Sequence, residues 1–427
     1  MQESSFIDWR RVAVLVAGNA LSLAGDFVLL VALGWTALQI GGAGAVTTLV
    51  LALTIPRALM LIFGGAVADG RGPRFLVLRA TAARVVVLTA GAAVVLTTDS
   101  LWPLVVIAVL EGSLLGLSSP ASGAMITTLA TGDQLVRANS LYGTVLRVAP
   151  IVGAPIGAWL IATWELWHAM LVVAVVCAVV FAGLLYVTSG MVRPERTGEE
   201  NLIRRSSAGF RLLAEDRRLR WLFVSAFCLD LAFAWPLEVA LPLLADSRSW
   251  GVGAVGIVVA AFSAGAMAAG ALGALLAHRI PLRARLVASG VVIALGIAAM
   301  ALMPSVVALA SVAVVVGAMC GLNSPAVVTA YQQASPPARM GTAMATLALS
   351  AVGTAPVSIA AFSALSFLIG VETTWVLCGL IALAGPFAAM RALRRREVPV
   401  VAVREPSEAE PQEPAEAQPR EPALAVS

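Results

Sequence analysis

Charged side chains lie deep inside long apolar runs of this chain. In dry surroundings such groups bind protons, ions or the polar end of a ligand. Asn19, Ser22 and Asp26 are spaced i, i+3, i+7, which places one polar stripe on a helix. Arg57 lies in LTIPRALM. At 1.5 Å per residue, Asp26 is ~21 Å from one end of its run and Arg57 ~16 Å from the same side, so the two form the leading ion pair. Two readings of that pair are open: a cavity-lining proton or substrate site, or a structural staple between the first two helices. Asp230, in FCLDLAFA, lies at similar depth later in the chain. Glu111 shares a helix face with Ser118 and Ser122; it reads as a proton carrier or as a partner in a local hydrogen bond. Arg147, ~9 Å inside its run, reads as a cavity residue or as a snorkelling side chain. Arg84 reads as structural, and Glu238 as reaching water near the end of its run. Thr342, Thr346, Ser350 and Thr354 recur at i+4, either as a pore lining or, the commoner case, bonded to their own i−4 carbonyls.

Other chemistries lack their residues. The sequence holds no HExxH, GxSxG or GxxxxGK[ST]. With two histidines and four cysteines without CxxC spacing, no metal site, cofactor or catalytic residue is expected. Cys177, Cys228, Cys320 and Cys378 read as small buried apolar residues. A nucleic-acid partner is not expected.

These side chains need helices that cross a bilayer. The 427 residues are 60% apolar and 12% charged, with a mean hydropathy of +0.93. That is too little charge to cover a soluble domain, and the runs are too long for barrel strands. An all-α membrane protein is expected. At ~20 residues per crossing, the candidate spans are 12–38, 45–68, 75–97, 102–124, 141–164, 167–189, 220–244, 252–277, 285–303, 306–329, 341–368 and 374–392. The first is expected to serve as an uncleaved insertion signal. Arginines cluster before span 1, after each even span and in the connection after span 6; the opposite connections hold only Arg248. This places both termini in the cytoplasm. The expected organisation is a six-helix bundle over 1–189, a cytoplasmic linker over 190–219 with an amphipathic helix (GFRLLAEDRRLRWLF, 209–223), a second six-helix bundle over 220–395, and a disordered Pro/Glu-rich tail over 396–427.

The two halves read as a duplication. GLSSPA at 116–121 returns as GLNSPA at 321–326. At nearly the same offset, Asp26 matches Asp230, and GGAVADGRGPR (64–74) matches GALLAHRIPLR (273–283). Parallel repeats about an axis along the membrane normal are a transporter architecture, with the substrate between the halves.

On these residues, 1–395 resembles the major facilitator superfamily. Gly65, Asp69, Gly72 and Arg74 are in register with its loop motif between helices 2 and 3, and Gly70 and Pro73 depart from it. His278, Arg279 and Arg283 form a degenerate second copy. The resemblance implies that these residues lock the cytoplasmic gate. GAPIGA in span 5, with Gly153, Pro155 and Gly157, is similar to the exporter-associated helix 5 motif, its proline shifted by one position. Together with Ala138–Leu141 and the central loop, it resembles the drug and siderophore exporter branch that includes macrolide efflux proteins. An arginine common in helix 4 of proton-driven exporters is missing, and Glu111 is the only charge in that span.

The expected function is proton-coupled efflux of amphipathic small molecules by alternating access, from a monomer in the cytoplasmic membrane. The expected partners are a small-molecule substrate, protons and lipid. A proton-coupled importer is the alternative, and a membrane sensor or enzyme the distant one.

Overall fold

The computed structural model describes residues 9–129, 132–189, 211–276, 280–336 and 339–393, and all regular structure among them is helical. Trp9–Arg71 is one run folded back at Gly41 and Gly42, giving α1 (9–40) and α2 (43–71). Gly42 has φ 62°, ψ −151°, a conformation open to glycine and strained for any residue with a Cβ. The chain continues as α3 (Pro73–Val95), α4 (Leu101–Leu129), α5 (Gly132–Thr163) and α6 (Leu166–Thr188). α7 (Arg217–Trp235) runs on through a π-helical turn, Pro236–Ala240, into Leu241–Ser247. The remainder is α8 (Val252–Leu276), α9 (Leu282–Ala301), α10 (Val306–Ala334), α11 (Met340–Ile369) and α12 (Val371–Ala392, interrupted at Leu383).

Nine described helices are long and apolar enough to cross a bilayer. The first of these, Arg10–Leu61, has 52 residues and supplies two crossings through its fold at Gly41–Gly42. The shorter apolar stretches Val148–Thr163 and Gly353–Ile369 complete twelve. The chain is a multi-pass membrane protein. α5 begins at Gly132, well before the expected start at 141, because hydropathy marks only the apolar part of a helix.

The repeat is visible as equivalent packing. A Cβ on Gly112 or Gly116 of α4 would meet the carbonyl oxygens of Leu53 and Arg57 in α2, at 2.1 and 2.4 Å. A Cβ on Gly317 or Gly321 of α10 would meet those of Phe262 and Ala266 in α8, at 1.9 and 2.2 Å. Each pair of glycines four apart lets two backbones touch.

The two halves meet unequally along their length. One apolar core joins Val31, Leu38, Val46, Val50, Ala154 and Ala158 of the first half to Leu241, Val255, Ile359 and Phe362 of the second. It lies toward the end remote from the termini. Hydroxyls of Thr47 and Ser363 meet there at 2.7 Å, and Gln39 Nε2 donates to Asp246 Oδ1 at 3.4 Å. Toward the termini each half closes a core of its own, around Leu15, Met125 and Leu184 in one and Leu222, Ala330 and Tyr331 in the other. Among the described residues the two halves share this one core, at the far end.

The far seam depends on small residues. A Cβ on Gly256 of α8 would lie 2.9 Å from Ala158 Cβ and 3.0 Å from Pro155 Cα of α5. Gly256→Leu is expected to prise α8 from α5. With the native cysteines replaced, a Trp35→Cys reporter should then react with an impermeant maleimide about tenfold faster from the far face, reporting a shift of ~1.4 kcal/mol between open and closed seams. Unchanged labelling would show that this contact does not hold the seam.

The expected amphipathic segment is helical over 211–215 and breaks at Asp216. Asp216 Oδ1 accepts from the backbone N–H groups of Arg218 (2.6 Å) and Leu219 (3.1 Å), capping α7. Leu212 and Leu213 are buried against the second-half core, and Glu215 pairs with Arg339 at 2.8 Å. This part of the connection packs on protein. Residues 190–210 and the tail from 394 lie outside the described residues.

Candidate functional site

The site is built on Arg84, at the midpoint of α3. Its three nitrogens go to three partners on two other helices. Nη2 meets Asp26 Oδ1 of α1 at 2.5 Å, Nη1 donates to Ser22 Oγ of α1 at 3.1 Å, and Nε meets Glu111 Oε2 of α4 at 2.8 Å. A planar guanidinium can bridge three helices in this way, and an ammonium cannot. The Arg84 and Glu111 side chains are 4% and 2% exposed, and Asp26 is 18% exposed. Asp26 is therefore the more exposed member. Glu111 Oε1 is buried and has no hydrogen-bond partner among the described residues. Two carboxylates share one guanidinium, so the triad carries one surplus negative charge when both are ionised, and a single proton neutralises it.

The triad forms one wall of a cavity also lined by Phe27, Leu53, Thr54, Arg57, Leu115 and Glu238. The expected pair of Asp26 with Arg57 is corrected here. Asp26 takes Arg84, and Arg57 is an exposed side chain elsewhere on the cavity wall, with no ion pair within 4 Å among the described residues. Equal depth did not make them partners, because Arg84 of α3 occupies Asp26. Arg84, expected as structural, is the centre of this ion-pair network, and Glu238, expected to reach water, lines the cavity. Arg84 has eleven residues of α3 on either side, a central position that the pattern already contained. Glu238 is half-buried on the π turn that follows α7. The π turn at Pro236–Ala240 sets it in the wall of this cavity and of a second, apolar one lined by Trp35, Pro150, Val255 and Phe262. Such turns recur at functional sites because the wider turn re-aims a side chain.

The second half carries no copy of the triad. At the repeat offset, Ser289 stands for Arg84 and Val316 for Glu111. Ser289 Oγ accepts from Asn323 Nδ2 at 2.7 Å, a neutral network. Asp230 remains, and its hydrogen bond among the described residues comes from Ser350 Oγ at 3.5 Å. Ser350 also donates to the Leu347 carbonyl, and Thr354 to that of Ser350. Ser350 and Thr354 thus bond within their own helix, with Ser350 also near Asp230, and the side chain of Thr342 lies outside the described residues. Ser118 and Ser122 likewise donate to carbonyls within α4 and leave Glu111 to Arg84.

The other expected site residues are dispersed. Asn19 Nδ2 is buried without a partner among the described residues, and it stays outside the Arg84 network. Gly153 and Gly157 of α5 face α1: a Cβ would lie 2.3 Å from the Ala24 carbonyl oxygen and 2.7 Å from that of Val28. Pro155 lies on the other face, against α8. The GAPIGA motif therefore packs both within its half and across the seam. Gly65 is in the last turns of α2. Gly72 has φ 89° between α2 and α3, a positive value that calls for glycine. Arg74 and Arg283 are exposed in the first turns of α3 and α9. The side chains of Asp69 and Arg147, and all of His278 and Arg279, lie outside the described residues.

The family model of the Major Facilitator Superfamily matches residues 15–357 and 237–425. No curated protein matches the chain at a significant level. Solved structures share the fold. A POT family transporter in complex with 5-aminolevulinic acid gives a TM-score of 0.73 at 12% identity, over 90% of this chain and 97% of that one. The nucleoside transporter NupG, in a mutant form, gives 0.71 at 14% identity, over 90% and 100%. A bacterial homologue of the human lysosomal transporter Spinster, inward-facing and unoccupied, gives 0.68 at 16% identity, over 91% and 98%. The matched family model spans most of the chain, the twelve helices fall in its order, and the chain belongs to the Major Facilitator Superfamily, as a transporter rather than an enzyme.

Proposed function

We propose that the chain is a proton-coupled exporter of amphipathic small molecules, working by alternating access in the cytoplasmic membrane as a monomer with both termini inside. The observation that carries this reading is Arg84 shared between Asp26 and Glu111 in the wall of the cavity. One proton taken up by the carboxylate pair removes the surplus charge and loosens one of the two ion pairs that tie α1, α3 and α4 together. Ion pairs that form in one arrangement and break in another are a means of switching between packed states. The apolar side chains around them suit the body of an amphipathic molecule.

Export, and the macrolide-efflux branch, rest on GAPIGA and on the resemblance of the central loop. The arginine distribution supports cytoplasmic termini; with that orientation, the core shared by the two halves lies toward the outer face. The Gly72 turn and the exposed Arg74 suit the gate role that the loop motif implies.

The test is dye retention. Cells expressing the protein should hold less of a hydrophobic cationic dye than control cells, and a protonophore should abolish the difference. Greater retention would reverse the direction to import. A difference that survives the protonophore would remove the proton coupling.

A further inference from the structure

Two charged groups of the cavity are left over once the Arg84 triad is satisfied. Arg57 is on α2 in the first half and Glu238 on the π turn of α7 in the second, and both line the same cavity. Neither has an ion pair within 4 Å or a side-chain hydrogen bond among the described residues. Charged groups at this depth are costly unless something compensates them. The backbone of Arg57 is held from outside the cavity. A Cβ on Gly116 would lie 2.4 Å from the Arg57 carbonyl oxygen and 3.0 Å from its Cα, so α4 bears directly on the backbone under the guanidinium. The same cavity is lined by apolar side chains, among them Phe27, Leu30 and Leu53.

We infer that Arg57 and Glu238 form a two-ended clamp for a zwitterionic amphipathic substrate, its acid group on Arg57, its amine on Glu238 and its apolar body between them. The guanidinium presents a planar fork to a carboxylate, and the carboxylate of Glu238 accepts from an ammonium. A ligand held at both ends ties the first half to the second, so its binding energy favours the arrangement in which the halves approach. The inference rests on reading the cavity as the transport site. It needs no proton gradient, and a binding measurement tests it apart from coupling.

The experiment uses the purified full chain in detergent and follows thermal unfolding with three probes of one length: ω-aminooctanoic acid, octanoic acid and octylamine. The zwitterion should raise Tm more than either singly charged probe. Arg57→Gln should abolish the response to octanoic acid and weaken the zwitterion about tenfold to hundredfold, the loss of one charge-assisted contact, while octylamine is unaffected. Glu238→Gln should do the reverse. A zwitterion that shifts Tm no more than the other two probes overturns the clamp, and this comparison needs only the wild type. Variants that weaken all three probes equally overturn the assignment of ends. A clamp that fails this test beside a dye difference that still collapses with protonophore leaves coupling standing. The converse result leaves the clamp standing.

Discussion

Arg84→Met is expected to cost about 3–5 kcal/mol of stability and to abolish net transport, the largest single-residue effect in the chain. Removing the guanidinium strands Asp26 and Glu111 as two carboxylates in a dry setting, and losing one member of a buried ion pair costs that much. Met fills similar volume, so the loss is electrostatic and not a cavity effect. Arg84→Lys should recover only part of it, because one ammonium cannot keep contacts on α1 and α4 together. The triple change Arg84→Met, Asp26→Asn, Glu111→Gln removes every charge of the cluster and should restore most of the stability, since a neutral site has nothing to compensate. Transport should not return. Thermal unfolding of the four proteins in detergent, with vesicle flux alongside, separates the two roles. A single variant that unfolds at the wild-type temperature would show that Arg84 does not hold the cluster.

Glu111→Gln is expected to leave the fold intact and to reduce accumulation driven by a pH gradient about tenfold to hundredfold, the range of ordinary coupling free energies. The amide oxygen can still accept from Arg84 Nε, and Asp26 still pairs with Nη2, so the three helices stay tied. One carboxylate then faces one guanidinium, and the surplus negative charge that draws a proton is gone. Substrate exchange without a gradient, which needs no net proton movement, should persist. Asp26→Asn should uncouple in the same way, because the surplus charge belongs to the pair and either carboxylate can hold the shared proton. Their exposures separate them: both line the cavity, Asp26 at 18% exposed and Glu111 at 2%. A wild-type response to the gradient in both variants would remove the triad from coupling. Asp230 gives a control from the other half, since it faces Ser350 and no arginine among the described residues. Asp230→Asn should leave the gradient dependence largely in place.

What was legible beforehand depended on one coordinate, position along the bilayer normal. Hydropathy is summed along the chain and bilayer thickness sets the crossing length, so the helices and their order followed from the run of residues. The duplication was equally readable, because GLSSPA and GLNSPA are local strings; the structure gave their glycines a job, the contacts of α4 with α2 and of α10 with α8. Depth along a helix is also linear in residue number, and it put Asp26 and Arg57 at overlapping depths, and both line one cavity.

Partnership is a matter of rotation and neighbourhood, which depth does not contain. Asp26 and Arg57 have compatible depths and do not pair, because Arg84 on α3 occupies Asp26. Arg84 was visible as a charge at the centre of its span, but its value comes from three acceptors on two other helices. Glu238 was visible near the end of an apolar run, and only the π turn at Pro236–Ala240 sets it in the cavity. Gly256 had no pattern to mark it, since its role is the approach of α8 to α5 across the seam. The sequence by itself determined the number, length, order and repeat of the helices, because those are set by local composition against a bilayer of constant thickness. Tertiary structure decided which charges meet, which stay unpaired and at which end the two halves share a core, because these depend on the azimuth at which each helix packs against its neighbours.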